Sequence, residues 1–178
     1  MPIQITTLSE NTASKPRLLA EWGLSILIEA DGRRILFDTG ATYSAACNAI
    51  TLGIDLSQID KLVFSHGHYD HTGGLLPVLK LARKPIEIIA HPDMWTAKYA
   101  KRPEGKEEYI GVPFAREEAE SLGASFHLSR EPVWLSENIV TSGEIPMLTE
   151  YEEIDSILCV KEQGKLKPDP LWDDQSLC

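Results

Sequence analysis

One stretch constrains this chain more than any other: Ser65-His66-Gly67-His68-Tyr69-Asp70-His71-Thr72-Gly73-Gly74. Three imidazoles and a carboxylate fall within six positions, directly after an apolar run, Lys61 to Ser65, that reads as a short buried strand. Alternate side chains of extended backbone point the same way, so His66 and His68 project to one side and can share one ion. Asp70 and His71 follow after the chain turns and can face a second ion beside the first. Imidazole and carboxylate without thiolate suit zinc, or a harder ion such as iron or manganese. Small Gly67 between two ligand candidates, and Gly73-Gly74 opening the next helix, set the cluster apart from an ordinary polar loop.

At 178 residues and 43% hydrophobic, the chain can bury one moderate core and is expected to form a single domain, 1–178. A formal net charge of -10 argues against a nucleic-acid partner, because phosphate binding needs a basic surface. Met1-Pro2-Ile3-Gln4-Ile5 lacks the features of a signal peptide, and no apolar run approaches membrane-spanning length. A cytoplasmic protein with no membrane association is therefore expected. Cys47, Cys159 and Cys178 are too few and too scattered for a disulfide framework or a zinc ribbon.

The spacing predicts a first strand over Ile3 to Leu8, then a surface loop to Pro16. Asp31-Gly32 joins two strands, Trp22 to Ala30 and Arg33 to Asp38, as a tight hairpin. Counting outward from that turn, Ala30 faces Arg33, Glu29 faces Arg34, Ile28 faces Ile35, Leu27 faces Leu36 and Ile26 faces Phe37, so charge meets charge and apolar meets apolar. Tyr43 to Leu52 reads as a helix capped by Gly53, and Ile54 to Ile59 as a connection holding one helical turn. Leu75 to Ala82 reads as a helix, Ile86 to Ala90 as a buried strand. This order suits a mixed sheet with helices on at least one face.

His91 closes that strand at the end where the metal loop should sit, either as a further ligand or acid or as a locally bonded loop histidine. His127 reads as structural. From Met94 to Pro113 the pattern breaks into aromatic, basic and acidic residues, and a loop of such length reads equally as a lid over the site or as a surface insertion. Phe114 to Leu122 is expected as a helix; Ala124 to Leu128, Val133 to Leu135 and Ile139 to Ser142 as short strands; Lys165 to Trp172 as an exposed arm.

The His66-x-His68-x-Asp70-His71 pattern resembles the metallo-β-lactamase superfamily, which carries it on the loop after a strand of an αββα sandwich. The resemblance implies an α/β (α+β) fold, with His66 and His68 on a first metal and Asp70 and His71 on a second. It also places Asp38, in Asp38-Thr39-Gly40, beneath the metal loop, where a carboxylate can accept a hydrogen bond from a ligand imidazole. Trp22-Gly23-Leu24-Ser25, Ser65 to Leu75, Ala90-His91-Pro92-Asp93, Thr141-Ser142-Gly143-Glu144-Ile145-Pro146 and Asp173-Asp174-Gln175 resemble, more narrowly, the dihydropterin-ribofuranosylaminobenzene-phosphate synthase-like proteins. Met147 departs from that pattern, at a place where a basic residue is expected. Members of that family run on past the Asp-Asp-Gln stretch into a Gly-Cys-Ser-His segment that supplies a further ligand. The chain therefore reads as the first half and part of the second half of the sandwich, incomplete at its C-terminus, with an apolar sheet face that a second copy would cover as a homodimer.

Three functions fit these residues. The first is a metal-dependent hydrolase of a small anionic ester, amide or phosphoester, in which Asp70 holds a metal and takes a proton while Asp38 steadies the ligand shell. The second is a pterin-linked synthase or transferase using the same metals. The third is a catalytically silent metal-binding remnant.

Overall fold

The computed structural model describes residues 2–178. A six-stranded mixed sheet is built from β1 (Gln4–Ser9), β2 (Ser25–Ala30), β3 (Arg33–Phe37), β4 (Lys61–Val63), β5 (Ile86–Ala90) and β8 (Ala124–Leu128), in that spatial order. β1, β2 and β3 are antiparallel, and β3, β4, β5 and β8 run parallel. The β2–β3 pairing has the register expected from its turn, with Ala30 opposite Arg33 and Ile26 opposite Phe37. Asp31 and Gly32 supply the two positive φ angles, 53° and 69°, that match a two-residue turn to the twist of its strands.

Three helices cover one face: α1 (Ser44–Leu52), α3 (Leu75–Ala82) and α4 (Arg116–Ser121). In α3 the buried residues Leu75, Val78, Leu79 and Ala82 recur at the spacing of one helical stripe. That stripe seats against Leu62, Ile86 and Ile88 of the sheet, and each such large side chain contributes roughly 1.5–3 kcal/mol on burial. Gly53 ends α1 in the left-handed conformation, φ 71°, and its amide closes on the carbonyls of Ala49 and Ile50. On the opposite face Ile35, Val63 and Ile89 pack under Val133, Leu135, Ile139 and Leu177.

Three sequence expectations need correction. Met94 to Pro113 is not irregular: it contains β6 (Lys98–Lys101) and β7 (Glu107–Tyr109). With β9 (Leu158–Glu162) and β10 (Lys165–Pro168) they form a second, antiparallel sheet in the order β10-β9-β6-β7. Its alternation is masked because charges pair across the strands: Lys101 lies opposite Glu107, while Arg102 pairs with Glu108 and Lys161 with Glu107. Lys165 to Trp172, likewise, is not an exposed arm. Lys165–Pro168 is a paired strand, and Asp169 beyond it is buried. Val133 to Leu135 and Ile139 to Ser142 form isolated bridges, Trp134 with Val140 and Thr141 with Leu177, rather than full strands. No helix among the described residues is long and apolar enough to cross a membrane.

Candidate metal centre

The parallel strands β3, β4 and β5 deliver their C-terminal ends to one edge of the sheet, and the His-rich loop leaves β4 at that edge. Ligand sites of open α/β sheets form in such crevices. His68 is extended, and Tyr69–Thr72 then turns through one helical turn, α2. Its C-terminal end is pressed onto the backbone that follows β3. The Thr39 amide donates to the His71 carbonyl at 2.7 Å and the Gly74 amide to the Gly40 carbonyl at 3.0 Å. A Cβ at Gly73 would overlap the Ala41 carbonyl, and one at Gly74 the Thr39 carbonyl. The glycine pair thus permits a backbone-to-backbone seat that fixes where Asp70 and His71 stand.

The four residues singled out by the pattern come together. The His66 ring lies 4.6 Å from that of His68 and 4.1 Å from that of His71, centroid to centroid. The Asp70 Oδ2 is 3.8 Å from His71 Nε2. Asp38 is fully buried beneath them. Its Oδ1 accepts from the Ser65 amide at 2.8 Å, and its Oδ2 from the Ser65 hydroxyl and His71 Nδ1, both at 2.7 Å. That last bond commits His71 Nδ1 as a donor and leaves Nε2 as the free lone pair.

Burial makes charging of the His66 ring costly, and the neighbouring His71, His68 and Lys98 add to this, holding its pKa well below the ordinary value. His68 is lowered for the same first reason, burial, with Lys98 next. At His71 burial also opposes the charge, but the hydrogen bond and charge of Asp38 outweigh it and raise the pKa. Two of the three rings are thereby kept neutral, the form in which imidazole binds a metal.

The donor set fits a metal on one further observation. His68 Nε2 is buried with no hydrogen-bond partner, and an orphaned buried nitrogen of that kind costs about 1–3 kcal/mol unless something occupies its lone pair. The set is gathered but not closed, for among the described residues no three donors already surround one ion position.

His91 stands apart. Its Nδ1 accepts from the Asp93 amide at 3.1 Å and its Nε2 faces Glu144 Oε2 at 3.1 Å, so both ring nitrogens are committed to protein partners. His127 is half-exposed and pairs with Glu87. Three residues that the sequence reading did not place at the loop lie against it: Asp173, which accepts from the Gly67 amide; Asp174, 3.6 Å from His66 Nδ1; and Gln175, whose side chain donates to the Phe64 carbonyl. The Asp-Asp-Gln stretch is visible in the sequence, but nothing local says that it returns to a loop more than a hundred residues earlier.

Histidines and a carboxylate on the loop after a parallel strand, with a buried aspartate behind one ring, define a metal-centre class of α/β protein. Residues 23–153 match the metallo-beta-lactamase superfamily model, and the chain belongs to that superfamily. It is 39% identical over 150 residues, 80% of its length, to the 7,8-dihydropterin-6-methyl-4-(beta-D-ribofuranosyl)-aminobenzene-5'-phosphate synthase of Methanocaldococcus jannaschii, of which it covers 51%. It is 35% identical, over 97% of its length, to an uncharacterised protein of the same organism, of which it covers 64%. Among solved structures it superposes on Tm1679, described as a metal-dependent hydrolase of the beta-lactamase superfamily, with a TM-score of 0.71 and 26% identity over 99% of this chain and 60% of that one. The chain thus spans about half to just under two thirds of the length of these relatives.

Proposed function

We propose that the chain is a metal-dependent hydrolase of a small anionic ester, amide or phosphoester. The observation that carries this reading is the convergence of His66, His68, His71 and Asp70 at one sheet edge, with the buried Asp38 orienting His71. His66 and His68 would hold one divalent ion, zinc or else iron or manganese, and Asp70 with His71 a second. When bound, such an ion makes water acidic enough to serve as a nucleophile near neutral pH and polarises the oxygen under attack. Asp38 fixes the tautomer of His71, and Asp70, partly exposed, is the group placed to take up a proton. A cavity of about 370 Å³ beside His68 and Asp70 is lined by Trp22, Tyr69, Arg102, Ile110 and Leu158. Arg102, ion-paired with Glu108, is the cation in its lining, and Trp22 is its exposed apolar wall. A cytoplasmic location belongs to the same proposal, supported by three cysteines that remain free thiols.

A pterin-linked synthase is the second reading. It is favoured by the 39% identity to a protein of that name and by a cavity whose lining includes the aromatic residues Trp22 and Tyr69.

Elemental analysis of protein purified without added metal, paired with turnover of ester and phosphodiester substrates and of a pterin precursor, tests both. Retained divalent metal, with hydrolysis that chelator abolishes and Asp70→Ala removes, is the expected result. Turnover of the pterin precursor alone selects the synthase. Metal-free protein that takes up no zinc, iron or manganese overturns both readings in favour of a silent remnant.

A further inference from the structure

Lys98 is a lysine with almost no access to water, 1% exposed, in the first strand of the second sheet. Its ammonium lies between two buried carboxylates, Asp169 Oδ2 at 3.0 Å and Asp173 Oδ1 at 2.8 Å. The proposed reaction does not use it. Burying three charges is expensive, and an ion pair kept in such a place is weak support for stability by itself. What sets this one apart is the other end of Asp173. Its second oxygen accepts from the backbone amide of Gly67 at 2.7 Å, the amide between His66 and His68.

The neighbouring residues repeat the pattern. Gln175 donates from its side chain to the Phe64 carbonyl at 2.8 Å and from its amide to the Ser65 carbonyl at 2.9 Å. Asp174 Oδ1 stands 3.6 Å from His66 Nδ1. Residues 173–175 therefore lie along residues 64–67 as a strap. On its other side Gly67 is wedged against Met94, whose carbonyl would overlap any Cβ at that position. The Gly67 amide has one acceptor, and that acceptor is held in place by Lys98.

We infer that Lys98 and Asp173 are positioning residues for the metal loop: the ammonium orients the Asp173 carboxylate, and the carboxylate pins the Gly67 amide and so sets the separation of the His66 and His68 rings. The assignment rests on the metal-centre reading for its purpose but not for its geometry. Partners one step behind a metal ligand commonly govern affinity by about 10–100-fold. Asp169 separates this role from plain structural support, because it bonds the same ammonium but makes no bond to the loop.

The test compares Asp173→Ala, Asp173→Asn and Asp169→Asn with the wild type, by cobalt(II) affinity in chelator competition, by the cobalt absorption spectrum, and by amide hydrogen exchange at Gly67 in metal-free protein. Asp173→Ala is expected to lose about tenfold or more in affinity and to shift the spectrum. Asp173→Asn, which keeps an acceptor for the amide, should recover most of that loss, and Asp169→Asn should bind cobalt as the wild type does. In the wild type the Gly67 amide should exchange slowly without metal. A folded Asp173→Ala with unchanged affinity and spectrum overturns the inference, as does an equal loss in Asp169→Asn. Fast exchange at Gly67 in the folded wild type overturns it too, whether or not any variant folds. A wild type that binds no cobalt but protects Gly67 sinks the metal reading and leaves the strap standing.

Discussion

Asp38 adopts a φ of 58°, a left-handed angle that costs a residue with a side chain about 1–3 kcal/mol and that tends to persist where surrounding structure enforces it. What enforces it is the set of three bonds its carboxylate accepts from Ser65 and His71. The three imidazoles nearby titrate in opposite directions from the ordinary value of 6.5, and their linkage to folding has two signs. His66 and His68 are lowered, so below 6.5 the unfolded chain takes up protons that the fold refuses, and stability falls as pH drops. His71 is raised, so its contribution is complete below 6.5 and is lost as pH climbs through its elevated value. The metal-free melting temperature, followed between about pH 5 and 8.5, is expected to decline on both sides of a maximum near the ordinary imidazole value. Asp38→Asn should flatten the alkaline side and leave the acid side in place. At this scale the sequence was readable where chemistry is concentrated: His66, His68, Asp70 and His71 stand together in both sequence and space. Lys98 was not readable, because a lysine among Lys101, Arg102 and Lys106 carries no mark of burial until its two aspartates arrive from residues 169 and 173.

Elements that carry a turn pair or an apolar run of their own were the legible ones. The β2–β3 hairpin follows from its turn pair, and α3 from its apolar stripe. The β6–β7 hairpin was missed because β6 is bounded on its other side by β9, some sixty residues later, with Lys98 opposite Val160 and Tyr99 opposite Cys159. The pairing reveals what the residue string hides, such as the edge-to-face contact of Tyr99 and Tyr109 at 5.5 Å. Where α2 meets α3, the seat on the Thr39 to Ala41 backbone leaves no room for a methyl group, and backbone cannot rotate aside. Gly74→Ala is therefore expected to destabilise the fold by about 1–3 kcal/mol through overpacking and to weaken metal binding with it. Gly164→Ala, in an open turn with nothing nearby, should leave metal binding untouched. Denaturant melts and chelator competition on the two variants check this.

Over the whole molecule the two faces of the main sheet are treated unequally. One is covered by helices; the other, among the described residues, is covered from Ala30 at the end of β2 across β3 to β5, by Val133, Leu135, Ile139 and Leu177. Toward the β1 edge Ile3 and Ile5 are 69% and 65% exposed, and Ile26 and Ile28 beside them are half-buried. A second copy laid over this edge is our proposal for what covers it. Wild-type protein is then expected to self-associate in sedimentation experiments, and Ile5→Lys to shift it to monomer without loss of folding; a wild type that stays monomeric at high concentration counts against the proposal. The same global view bears on the strap. Asp173 reaches back 106 residues to the Gly67 amide, and Gln175 reaches back 111 to Phe64. Chains are made from the N-terminus at about 5–20 residues per second, and contacts this distant close late. A ribosome therefore releases the histidine loop seconds before it releases the residues that brace it, and the nascent chain passes through an interval in which its imidazoles are in the solvent without their clasp. Under the metal-centre proposal, cation capture then waits on the arrival of residues 173–175.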